Sequence, residues 1–90
     1  MADVVVTLKI MPETAQVDLA VLREKAEEVI SSFGGRVGKE EKEPIAFGLV
    51  ALKLIFLIDE SKGGTEPIEE KIKEIEGVMS AETVGVTRAL

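Results

Sequence analysis

Carboxylates, lysines and hydroxyls are the side chains in this sequence that could take part in chemistry. The chain has no histidine, cysteine, tyrosine or tryptophan. It therefore lacks the most common general base, the most common metal ligand and the strongest nucleophile. No pair of titratable groups stands out as an acid and a base. The residue types predict a protein without bond chemistry of its own, and we identify no catalytic residue.

Acidic residues form three clusters whose oxygen atoms would suit a hard cation. Their spacing is not that of an EF-hand, and a solvated acidic surface explains them better. The clusters contain Glu40, Glu41 and Glu43; Asp59 and Glu60; and Glu66, Glu69 and Glu70. The glycine-rich segment 34–39 does not fit a phosphate loop, because Phe33 and Glu40 stand where that motif requires Gly and Ser or Thr. We expect no metal and no cofactor.

The charge of the chain argues against direct contact with nucleic acid. Its 11 basic and 17 acidic residues give a net charge of −6, which repels a polyphosphate at long range. The longest apolar run, residues 54–58, is far shorter than the roughly 20 residues of a membrane span. No basic, apolar leader precedes it, so we expect a cytoplasmic protein that contacts no membrane.

Apolar periodicity predicts six elements in the order β-α-β-β-α-β. We predict strands at 4–10, 36–43, 48–58 and 78–87, with one helix from the N-cap Asp18 to Gly34 and another from Thr65 to Gly77. This order is typical of an α+β ferredoxin-like sandwich, a four-stranded antiparallel sheet with two helices on one face. Strands one and three, the most apolar, should be central. Residues 1–90 should form a single domain.

The third strand is apolar on both faces. If the helices cover one face, the other still carries Ile55 and Leu57 beside Lys53, and Lys9 should lie on the same open face. Such a face meets a partner, a second copy or another domain, or it is a half-solvated sheet with scattered apolar residues. Both interpretations remain open.

Residues 43–53 form the most distinctive segment of the chain. Pro44 restricts its own φ and favours extended geometry at Glu43, while Gly48 permits an unusual backbone beside Phe47. Phe47 should therefore occupy a constrained bend before a central strand. It either caps the core or presents a rigid aromatic anchor to a partner.

The segment Pro44-Ile45-Ala46-Phe47-Gly48-Leu49-Val50-Ala51-Leu52 resembles the signature of the archaeal elongation factor 1-beta family. The likeness extends along the whole chain and implies a ferredoxin-like sandwich that exchanges guanine nucleotide on elongation factor 1-alpha. It also implies that nucleotide and Mg²⁺ belong to the GTPase. The residues that it implies for partner binding are Pro44, Ile45, Phe47, Gly48 and Arg88.

Within this resemblance, Phe47 would insert into the GTPase surface and Arg88 would disturb the site that holds Mg²⁺ and phosphate. The eukaryotic proteins of the family have lysine next to last, whereas this chain ends Thr87-Arg88-Ala89-Leu90. Arg88 is the basic residue at the end of the last predicted strand, so we assign the role to it. Arginine presents a planar fork of donors and lysine a point charge, so the two residues are not interchangeable in this role.

Two other functions fit the same topology. One is an oligomeric regulatory or small-molecule-sensing domain that dimerises through the apolar second face; the exchange hypothesis instead predicts a monomer. The other is an RNA-binding module, which needs stacking aromatic residues on strands one and three. Strand one has none, and strand three offers Phe56 alone.

Overall fold

A computed structural model describes residues 3–62 and 64–88. The elements follow the predicted order. They are β1 (Asp3–Pro12), α1 (Leu19–Ser32), β2 (Arg36–Pro44), β3 (Val50–Asp59), a 3₁₀ turn (Glu60–Lys62), α2 (Glu66–Lys73) and β4 (Val78–Arg88). No helix within the described residues is long and apolar enough to cross a membrane.

The four strands form one sheet in the order β2-β3-β1-β4. All three strand pairs are antiparallel. Strands β1 and β3 are central, as the sequence predicts. Both are rich in apolar residues, which a central position covers better than an edge. The charged strand β2 lies at an edge, where exposed charge discourages pairing with another chain. The ferredoxin-like arrangement is therefore confirmed.

The core lies between the two helices and one face of the sheet. Alternate residues of β1 and β3 point into it, as the twofold period of a strand requires. Buried residues on both helices pack against these strand residues. The core cluster contains Val6, Leu8, Ile10, Leu22, Ala26, Ile30, Leu52, Leu54, Phe56, Ile58, Ile68, Ile72, Val78 and Ala81.

Helix α1 begins and ends where the sequence predicts. The carboxylate of Asp18 accepts a hydrogen bond from the Ala20 backbone N–H at 2.9 Å, which satisfies one of the unpaired donors of the first turn. Gly34 follows the helix with φ +88°. The next residue, Gly35, is buried, and a Cβ built there would lie 2.7 Å from Cγ2 of Ile30. Gly35 therefore lets β2 start directly beneath the helix.

Three element boundaries differ from the prediction by more than one residue. Strand β1 continues through Pro12, which pairs with Val78 at its very end, where the missing N–H of proline removes little from the ladder. Strand β3 starts at Val50 because the preceding residues close a turn. Helix α2 stops at Lys73, since the N–H groups that follow bond three residues back, as in Ile75 to Ile72 at 3.0 Å.

The start of α2 also differs in detail. Thr65 occupies the N-cap, but its side chain makes no capping hydrogen bond. Its hydroxyl instead lies 2.8 Å from the hydroxyl of Thr83 on β4. The Thr83 backbone N–H donates to the Glu69 carboxylate at 2.7 Å. These bonds fasten the first turn of α2 to the edge strand.

Candidate partner-binding surface

The β2–β3 connection is a tight hairpin closed by two backbone hydrogen bonds. The N–H of Ile45 donates to the carbonyl of Leu49 at 2.8 Å, and the N–H of Leu49 donates to the carbonyl of Ala46 at 2.9 Å. Between them, Phe47 has φ +56° and Gly48 has φ +78°. Positive φ at both central positions is the pattern of a type I′ turn, which matches the twist of the flanking strands.

Phe47 is an unusual residue for its position in this turn. The first central position of a type I′ turn favours Asn, Asp or Gly, because other side chains clash with the backbone at positive φ. The Phe47 side chain has no compensating burial, since the residue is 99% exposed. The alternative that Phe47 caps the core is therefore wrong. The hairpin displays an aromatic ring outward at a cost in folding free energy.

The neighbours of Phe47 extend this exposed tip. Ile45 is 42% exposed, and Pro44, the last residue of β2, is also exposed. A Cβ built on Gly48 would meet Ala15 Cβ at 3.6 Å, which is ordinary contact. Backbone conformation and not space therefore requires glycine there. Four predicted partner-binding residues thus lie together; we call residues 44–48 the hairpin tip.

Arg88, the fifth predicted residue, lies at the opposite end of the sheet. It is the last residue of β4 and pairs with Val4 at the start of β1, whereas Pro44 pairs with Val50 at the start of β3. Ten residues of β3 separate the two ends, or about 30 Å at about 3.3 Å per residue. The fold therefore does not bring Phe47 and Arg88 into one site.

The guanidinium group of Arg88 is held by Glu60. Nη2 lies 3.0 Å from Oε1 and 2.8 Å from Oε2, and Nε lies 3.2 Å from Oε2. The Arg88 side chain remains 68% exposed. A carboxylate in this fork occupies the geometry with which arginine also binds phosphate.

Comparison with known proteins identifies the family. The family described as "EF-1 guanine nucleotide exchange domain" matches residues 5–89. The chain belongs to this family. It is 44% identical over 90 residues to "Elongation factor 1-beta" of Methanothermobacter thermautotrophicus, and the match covers all of both chains. It is also 44% identical over 89 residues to the protein of that name from Staphylothermus marinus, covering 98% of each chain.

Solved structures of low sequence identity share the fold of this chain. The ACT domain from GTP pyrophosphokinase of Chlorobium tepidum superposes with a TM-score of 0.62 at 17% identity, covering 91% of this chain and 99% of that one. The C-terminal domain of MgtC from Mycobacterium tuberculosis gives a TM-score of 0.60 at 14% identity, covering 99% and 88%. At such identities the likeness concerns the fold, and it does not favour a regulatory function for this chain.

The open face of the exchange domain carries Lys9 and Lys53, as strand alternation predicts. Both ammonium groups approach one carboxylate, that of Glu43. Lys9 first and Lys53 second lower the pKa of Glu43 below its ordinary value of 4.5. The sequence predicts a solvated acidic cluster at Glu43, and this contact was not predicted because the three residues are far apart in the chain.

Two observations concern metal ions and RNA as other ligands. Within 3–62 and 64–88, no group of three or more His, Cys, Asp or Glu residues could hold a metal ion. Phe56, the aromatic residue that an RNA-binding face would need, is 1% exposed beneath the helices. It cannot stack on a base, so the RNA-binding alternative loses the feature on which it depended.

Proposed function

We propose that this protein promotes exchange of GDP for GTP on elongation factor 1-alpha, and that the hairpin tip binds the GTPase. The exposed ring of Phe47 at positive φ is the observation that carries the proposal. The family and the names of the relatives support the same activity. Nucleotide and Mg²⁺ are those of the GTPase, and the exchange factor breaks and forms no covalent bond.

Exchange by binding alone requires a difference in affinity. A factor that binds the nucleotide-free GTPase more tightly than the GDP complex weakens GDP binding by the same ratio, because the two equilibria are linked. The factor is then displaced when GTP binds. The contacts that promote GDP release are therefore those that form only when the nucleotide site is open.

Phe47 supplies a separate apolar contact that determines how tightly the factor binds the GTPase. Its ring has almost no contact to lose in the free factor, so a pocket on the GTPase could bury it completely. Full burial of a phenylalanine side chain contributes about 1.5–3 kcal/mol, which corresponds to roughly a 10- to 150-fold change in affinity. The turn that holds the ring reduces the ordering cost of binding.

Arg88 supplies the second contact. We propose that its guanidinium group competes for the phosphate-binding or Mg²⁺-binding groups of the GTPase, for which the planar fork of arginine is suited. It must first leave Glu60. Because the hairpin tip and Arg88 are about 30 Å apart along the sheet, one rigid factor would contact two separate regions of the GTPase.

The test is release of a fluorescent GDP analogue from purified archaeal elongation factor 1-alpha. The native factor should accelerate release. Phe47→Ala should raise the concentration needed for half-maximal acceleration by at least about tenfold. Val21→Ala is the matched control, because Val21 is an apolar residue on α1 that is 44% exposed and lies outside the proposed interface; it should behave as native.

Arg88→Ala separates the two contacts. It should lower the maximal rate of GDP release more than it raises the half-saturating concentration, because Arg88 acts on the nucleotide site itself. The proposal fails if folded native protein does not accelerate release from an active GTPase. If the regulatory-domain alternative holds, light scattering after size-exclusion chromatography should then show a tight dimer. The exchange proposal expects a monomer in the same measurement, and a single-domain protein of the cytoplasm.

A further inference from the structure

We propose that Glu43 is a positioning residue for Phe47: its carboxylate ties edge strand β2 to both central strands immediately before the hairpin tip. The inference rests on the proposed function for its effect on exchange. It can also be tested on the free protein. Glu43 stands four residues before Phe47 and next to Pro44 in the chain.

A single carboxylate oxygen bridges two ammonium groups. Oε1 of Glu43 lies 3.4 Å from Nζ of Lys9 on β1 and 3.6 Å from Nζ of Lys53 on β3. The atom itself is shielded from solvent and has no partner in hydrogen-bond geometry among the described residues. These contacts are therefore ion pairs. The lowered pKa of Glu43 agrees with them.

The register of the sheet places two lysines side by side, where each needs an acidic partner. Lys9 and Lys53 are direct cross-strand partners on the open face, and like charges in that relation repel each other. Register places Glu41 opposite Lys53 and Glu82 opposite Lys9. Both lysines nevertheless form their ion pairs with Glu43. Glu43 lies two residues nearer the hairpin tip than Glu41.

Two further observations locate the effect at the hairpin. Glu43 is the cross-strand partner of Ala51, which is fully buried although it lies on the open face. Neighbouring side chains must therefore cover it. The next residue of β2 is Pro44, and the N–H of Ile45 after it bonds to the carbonyl of Leu49 at 2.8 Å, where the turn begins. The ion pairs of Glu43 therefore act on the last residues of β2 directly before the hairpin tip.

Loss of the Glu43 charge should therefore loosen the hairpin tip without unfolding the protein. Lys9 and Lys53 would repel each other, and the end of β2 would lose its tie to the centre of the sheet. Binding would then have to order the tip again. We expect Glu43→Gln to raise the half-saturating concentration in the exchange assay about three- to tenfold, with the maximal rate unchanged.

Two comparisons distinguish positioning from a general effect of charge. Glu41→Gln removes the same charge from the same strand and face, two residues earlier, where the acid pairs with Lys39 at 3.4 Å; it should behave as native. In a Phe47→Ala background, Glu43→Gln should have almost no further effect, because the residue through which it acts is gone. An undiminished effect in that background would overturn the proposal.

The free protein provides the second readout. Backbone ¹⁵N relaxation at Phe47 and Gly48 should show increased motion in Glu43→Gln and unchanged motion in Glu41→Gln. If Glu43→Gln does not fold, Lys53→Met removes one of the two ammonium partners and should give a smaller change in the same direction. Unchanged order at the tip in a folded variant refutes the positioning role even if exchange is confirmed. Increased motion supports it even if the GTPase does not respond.

Discussion

Replacing Phe47 by asparagine should stabilise the protein and abolish its partner contact at the same time. Phe47 is 99% exposed, so the folded state loses almost no burial when the ring is removed. Its φ of +56° costs an ordinary L-residue about 1–2 kcal/mol, whereas asparagine adopts this region readily. We expect the free energy of unfolding to rise by about 1 kcal/mol, which corresponds to a melting temperature about 4–8 °C higher for a domain of this size.

Thermal unfolding followed by circular dichroism, with urea unfolding beside it, measures this gain. Ile45→Asn is the matched control in the same hairpin tip: Ile45 has no positive φ to relieve and is only 42% exposed, so its loss should not stabilise. Phe47→Asn should also lose acceleration of GDP release to the extent that Phe47→Ala does. A Phe47→Asn protein that is less stable than native would show that the ring contributes to the fold, and the reasoning would be refuted.

Two further predictions concern the start of β2 and the Arg88 end of the sheet. Gly35→Ala should destabilise the fold by about 1–3 kcal/mol in urea unfolding, because the added methyl overlaps α1. Gly38→Ala is the control, because its methyl meets only a carbonyl at 4.0 Å, and it should not destabilise the fold. Equal losses of stability in the two variants would contradict the close approach of Gly35 to α1. Glu60→Gln should raise the maximal rate of GDP release about two- to fivefold at low salt, because Arg88 need not first leave Glu60. The same gain in Glu66→Gln, or in an Arg88→Ala background, would show a general charge effect instead.

Strand and helix order could be predicted because they depend on local patterns. Nearly continuous apolar residues in β3 and an apolar, β-branched β1 indicate central strands, and apolar residues at every third or fourth position mark the buried face of α1. The ranking of the strands by apolar content also placed β1 and β3 at the centre. The boundary at Pro12 was missed because pairing with Val78 across the sheet decides where β1 stops. The boundary at Lys73 was missed because the last turn of α2 changes to hydrogen bonds three residues back, and such ends are not marked in the sequence.

The hairpin tip shows where prediction from the sequence ends. Pro44 and Gly48 indicate a constrained bend at Phe47, since both residues restrict or permit particular backbone angles on their own. Whether the ring points into the core or away from it depends on where the bend lies relative to the helices. That relation is absent from any local window, so both interpretations stayed open until the fold was known.

By itself, the sequence determined the class of fold, the absence of histidine, cysteine, tyrosine and tryptophan, and the family signature, because residue types and their local periodicity carry that information. The tertiary structure alone decided that Phe47 is displayed, that Arg88 lies about 30 Å away and that Glu43 joins Lys9 to Lys53. Glu60 and Arg88 likewise meet across 28 residues of chain. Such contacts follow from strand register, and register is set by the packing of the whole sheet against its helices.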